Sequence, residues 1–104
     1  MKKLYLTLFL FFAVASMAFG QLDQTSSDID GLKLYPNPTT SGKIFISTAQ
    51  NAAKQIAVFD VLGTKVLETT LLGKELSLAE LKKGVYIIRV VEKDNVATRK
   101  LIIK

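Results

Sequence analysis

Cysteine, histidine and tryptophan are missing from the 104-residue chain, and proline occurs only twice. Without histidine, the usual general base near neutral pH and the commonest metal ligand are gone. Without cysteine there is no disulfide, thiolate nucleophile, soft-metal site or lipid-carrying N-terminal cysteine. What remains is 49% hydrophobic and 22% charged, an ordinary globular balance. The length allows one domain. Catalysis has few residues left to work with.

Long hydrophobic runs are confined to the first twenty residues. Lys2 and Lys3 precede an almost wholly apolar run, Leu4 to Ala15, and Ser16 to Gly20 is rich in small residues. Ala18 and Gly20 stand at the −3 and −1 positions of a signal-peptidase site, which predicts cleavage before Gln21. The run is too short for an anchor helix, since a full span needs about 20 apolar residues. Residues 1–20 are therefore expected to be a separate signal-peptide helix, and no permanent membrane span is expected. Losing Lys2 and Lys3 leaves 12 basic and 9 acidic residues, a net charge of +3. That charge is too small, and too poor in interleaved aromatics, to suggest nucleic acid.

Residues 21–31, QLDQTSSDIDG, are polar and acidic and read as a linker. Asp28, Asp30 and Gly31 resemble the start of a calcium loop but lack its later ligands, so a solvated linker is the better reading. From Leu32 the chain breaks into brief β-rich runs: Leu32–Tyr35, Lys43–Thr48, Gln55–Asp60, Lys65–Leu71, Glu75–Leu78, Gly84–Glu92 and Val96–Ile103. Gly63-Thr64 predicts a hairpin, and Asp94-Asn95 a tight turn tolerant of left-handed backbone. Ser77–Glu80 allows one helical turn, ended by Gly84. Seven short strands at this spacing predict an all-β sandwich over residues 32–104.

No arrangement of reactive groups emerges. Ser41, Ser47 and Ser77 lack both an S-x-x-K lysine and a G-x-S-x-G elbow. The close carboxylates Asp28/Asp30 and Glu92/Asp94 lie in turn or linker contexts and read as surface groups, not as an acid/base pair across a cleft. The glycines are isolated turn residues, not a phosphate-binding loop. No catalytic residue, cofactor or metal is expected.

Four segments carry a family resemblance: LYPNPTTSG (34–42), FDVLGTKV (59–66), LKKGVYIIRV (81–90) and RKLIIK (99–104). In this order they resemble the type A C-terminal sorting domain of the type IX secretion system of Gram-negative bacteria. The matching positions are Tyr35, Pro36, Asn37, Pro38, Gly42, Asp60, Gly63, Val66, Leu81, Gly84, Tyr86, Lys100 and Lys104. Each also has a structural reading. The prolines blunt an edge, Gly63 permits a turn, and Leu81, Gly84 and Tyr86 suit a tyrosine corner.

The resemblance implies an antiparallel immunoglobulin-like sandwich and a non-enzymatic sorting function. It implies passage through the periplasm to an outer-membrane translocon, and then secretion or a place on the cell surface. A sortase-like protease would cut within residues 21–32, and anionic lipopolysaccharide would be a further partner after processing. The expected mechanism is recognition of a folded surface and an exposed C-terminal strand, with strand addition as one mode. Family members usually carry a large passenger, whereas only eleven residues separate the predicted signal peptide from the domain. A stand-alone domain, a remnant of a longer gene and a missing passenger all fit that spacing. The alternative is a small secreted immunoglobulin-like binding or structural module that is itself the cargo.

Overall fold

Single alternation of apolar and polar residues builds most of the strands in the computed structural model, which describes residues 28–104. The expected signal peptide, with Ala18, Gly20 and Gln21, lies outside the described residues. Seven strands follow in order: β1 (Lys33–Tyr35), β2 (Lys43–Ser47), β3 (Lys54–Phe59), β4 (Lys65–Leu71), β5 (Glu75–Ser77), β6 (Gly84–Glu92) and β7 (Asn95–Ile103). They form two antiparallel sheets, β1-β2-β5 and β4-β3-β6-β7. This is the strand arrangement of an immunoglobulin-like sandwich.

Ile44 and Ile46 of β2 and Leu76 of β5 face Ile56, Val58, Ile88, Val90 and Leu101 from the larger sheet in one core. Two-residue periodicity puts these side chains on the inner faces and the intervening residues outside. β6 reads as apolar on both faces, but only Tyr86, Ile88 and Val90 point into the core. Val85 and Ile87 remain 41% and 38% exposed.

The connections show where local chemistry decides the path. At the β3–β4 hairpin, the Asp60 carboxylate accepts hydrogen bonds from the Leu62 and Thr64 N–H groups at 3.0 and 2.9 Å. Gly63 supplies the positive φ of 85° that this turn needs. The Ser77–Glu80 region does not form a helical turn. It makes a tight bend in which Leu81 N–H donates to the Leu78 carbonyl at 2.9 Å, too short a link to start a helix between β5 and β6. At the β6–β7 turn the left-handed residue is Lys93 (φ 53°) and not Asp94 or Asn95, because Asn95 already pairs with Glu92 as the first residue of β7. The tyrosine corner is present: the Tyr86 hydroxyl donates to the Lys82 carbonyl at 2.7 Å.

Structured contacts begin before β1. Ile29 is only 4% exposed and joins the core. Ala49 N–H donates to the Asp30 carbonyl at 3.0 Å. Gly31 has φ 69°, and a Cβ there would lie 3.0 Å from the Ala49 nitrogen, so a larger residue is excluded twice over.

The far end of the sandwich holds a buried ion pair. Lys54 Nζ lies 3.0 Å from Glu92 Oε2, with the two side chains 1% and 4% exposed. The same oxygen accepts from the Thr48 hydroxyl and, at 3.1 Å, from Ala52 N–H. Lys54 also donates to the Ala52 carbonyl at 2.7 Å. Glu92 is thus a buried, hydrogen-bonded and ion-paired group and not the expected surface carboxylate. Burial alone would push its carboxyl up; the Thr48 hydroxyl, Lys54 and Ala52 N–H outweigh that and hold it below its ordinary 4.5.

A carboxyl whose pKa is depressed on folding stabilises the protein above its unfolded pKa and loses that contribution as pH falls. Chemical denaturation should therefore show stability falling below pH 4.5, with a shallower fall in Glu92→Gln. Lys54→Met strands the buried carboxylate and should cost about 3 kcal/mol, much of it recovered in Lys54→Met/Glu92→Leu. Tyr86→Phe removes one hydrogen bond and should cost about 1 kcal/mol, seen as a melting temperature about 4–8 °C lower.

Candidate recognition site

The segment after β1 crosses from the small sheet to the edge of the large one. Tyr35 ends β1 with its ring stacked on Phe45, centroids 5.7 Å apart. Both Tyr35-Pro36 and Asn37-Pro38 are cis peptides. Neither proline has an N–H to offer, and the Asn37 side chain takes over the pairing. Asn37 Nδ2 donates to the Lys100 carbonyl at 2.8 Å, and Ile102 N–H donates to Asn37 Oδ1 at 3.0 Å. One amide thus imitates a strand residue.

Backbone pairing continues where the side chain stops. Thr39 N–H donates to the Ile102 carbonyl and Lys104 N–H to the Thr39 carbonyl, both at 2.9 Å, forming a parallel bridge. Thr39 is fully buried, and its hydroxyl donates to the Lys43 carbonyl at 2.7 Å, which ties the crossing to β2. The outer edge of β7 is consequently occupied along Lys100–Lys104. This corrects the expectation of an exposed C-terminal strand: the prolines do blunt an edge, but it is the edge of β7.

The four sequence motifs converge on this end of the sandwich. Lys65 pairs with Phe59, Phe59 with Ile87, and Ile87 with Lys100, one row across the sheet. Asn37 closes the row at Lys100. Directly opposed antiparallel residues share a face, so these four side chains lie together on the outer surface. The next residues on β6 and β7 bring Tyr86 opposite Leu101 and Gly84 opposite Ile103.

The remaining motif residues serve the frame. Gly42 accepts from Leu78 N–H at 2.7 Å, joining the crossing loop to the end of β5. Leu81 packs half-buried against the core. Val66 is 37% exposed, and Lys100 and Lys104 carry exposed side chains. The sequence reading did not single out Thr39, whose burial no local pattern announces, nor the contact between Asp28 and Arg99. Arg99 Nη2 lies 3.1 and 3.0 Å from the two Asp28 oxygens. The hydrogen bond from Arg99, aided by Ile29 N–H, holds the exposed Asp28 carboxyl below its usual range. This contact joins the chain before β1 to the last strand.

Chemically, the site is a paired backbone edge, an aromatic–aliphatic surface row and exposed lysines. Among the described residues, no helix is long and apolar enough to cross a membrane. No curated protein matches the chain. A family model described as "Secretion system C-terminal sorting domain" matches residues 33–104, from the first residue of β1 to the C-terminal lysine, and so takes in all four motifs. The chain belongs to the family of C-terminal sorting domains of the type IX secretion system.

Proposed function

We propose that residues 28–104 act without catalysis as an export signal, carrying what precedes them from the periplasm through an outer-membrane translocon to the cell surface or medium. The observation that carries this reading is the convergence of the sorting motifs on one transverse row, Lys65–Phe59–Ile87–Lys100, closed by Asn37. Segments far apart in sequence then make one surface only when the domain has folded. Translocon components would read that surface and not a linear peptide. A signal peptide at residues 1–20 would deliver the chain across the inner membrane first.

Processing by a surface protease fits the same scheme, with a narrower position for the cut. Asp28 is held by Arg99, Ile29 is buried, and the Asp30 carbonyl is bonded to Ala49. A protease needs its substrate free to extend into its cleft, and the chain from Asp28 onward is tied to the fold, so the expected cut falls before Asp28. Attachment to anionic lipopolysaccharide would concern the released passenger side.

The test is a fusion of residues 28–104 behind a periplasmic reporter in a host with the type IX system. The fusion should reach the surface or medium, and one lacking Leu101–Lys104 should stay in the periplasm. Undiminished secretion of the truncated fusion would contradict the proposal. Mass spectrometry of the exported native chain should find no new N-terminus between Ile29 and Leu32. Recovery only of an intact chain from Gln21 would favour a secreted module over a processed signal.

A further inference from the structure

Sheet edges must be paired, covered or left to water, and a long open edge is a template for another strand. Of the four edge strands, β7 is occupied over its last residues, while β1 and β5 are three residues each. β4 is seven residues long, and among the described residues no backbone hydrogen bond reaches its outer side.

Strand alternation fixes which groups are free. Ile102 turns its N–H away from β6 toward Asn37, so the odd-numbered residues of β7 bond to β6. Carried across β6 and β3, the same alternation bonds Leu67, Thr69 and Leu71 to β3. The N–H and C=O groups of Glu68 and Thr70 then point out from the open edge. Beside it runs a groove where β4 and β5 part, with Leu67, Leu71, Leu76, Leu78 and Leu81 along its walls.

We propose that this edge and groove receive an extended strand from a partner protein, with apolar side chains at alternate positions and a lysine or arginine opposite Glu68. The open backbone calls for a strand, and the inner-face residues Leu67, Thr69 and Leu71 call for apolar side chains opposite them. Charge sets the rest: Glu68 on the edge meets Lys65 of its own strand at 3.1 Å in an exposed pair that contributes little, so a cation across the edge can share its carboxylate. Glu75, paired with Lys43 at 3.5 Å, and Glu80 line the groove. A second copy of this chain is a poor occupant. Antiparallel self-pairing that uses all seven β4 residues sets Glu68 against Glu68, and directly opposed like charges are destabilising. The inference rests on the sorting function proposed above and assigns its contact to β4 instead of β7.

The probe is a labelled peptide, Thr-Val-Thr-Val-Lys-Val-Thr, titrated into the full chain and followed by NMR. The Glu68 and Thr70 amides should shift. Thr70→Pro removes an N–H that no internal bond uses and should weaken binding about tenfold without lowering the melting temperature. Glu68→Lys should weaken binding about threefold, and a peptide with Glu in place of Lys should restore it, which decides the matter even if Thr70→Pro fails to fold. Unmoved β4 amides, equal binding by a folded Thr70→Pro chain, or a dimer that Thr70→Pro dissolves would each overturn the assignment. In the reporter assay, full export of the Thr70→Pro fusion refutes this edge alone. Failure of the unmodified fusion refutes the sorting function itself.

Discussion

The pairing of one side-chain amide with a strand edge organises the end of this domain where the family motifs meet. Asn37 donates to Lys100 and accepts from Ile102, and these bonds hold the crossing between two sheets that share no backbone ladder. An ordinary backbone segment could not do this with proline on both sides, because two of its donors would be missing. The asparagine side chain supplies one donor and one acceptor at the needed spacing. Once it is seated, Thr39 falls into the core and completes the bridge to Ile103. The C-terminal residues are thereby enclosed in the fold, and a partner cannot pair with them unless this segment is displaced.

At the opposite end the stabilising logic is electrostatic. A domain this small without disulfides depends on a modest core, and a buried ion pair adds little net stability after desolvation. The Lys54–Glu92 pair instead fixes register. The two residues are direct partners at the matching ends of β3 and β6. A one-residue slip would turn one charge to the outer face and leave the other unpaired inside. Thr48 and Ala52 bond the same Glu92 oxygen that Lys54 meets, so the charges act as a stop for the sheet.

The local features were legible in the sequence, and the long-range ones were not. Ile44/Ile46 against Phe45, and Ile56/Val58 against Ala57/Phe59, show their faces through a two-residue period that needs no knowledge of partners. The tyrosine corner was equally readable, because Tyr86 and Lys82 are four residues apart. Glu92 looked like a turn carboxylate because its neighbours Lys93 and Asp94 are polar; its burial depends on Lys54 and Thr48, a strand and a loop away. Ile29 was hidden for the same reason, as one apolar residue in an acidic stretch has no period. The family motifs marked Asn37 without showing its task, since its partners lie 63 and 65 residues downstream.

Asn37, Gly63, Gly84 and Tyr86 hold turns, corners and edges, so changing them alters the surface through the fold, whatever touches the translocon. Loss of export on their removal therefore says little about contact. The informative residues are those that the core and the sheet ladders do not use: Glu68, whose carboxylate meets the exposed Lys65, Thr70 with its outward backbone groups, and the outer row around Ile87. Their substitution leaves the core untouched. Family motifs mark the frame that makes a surface, and the contact itself is to be sought among residues that the frame does not need.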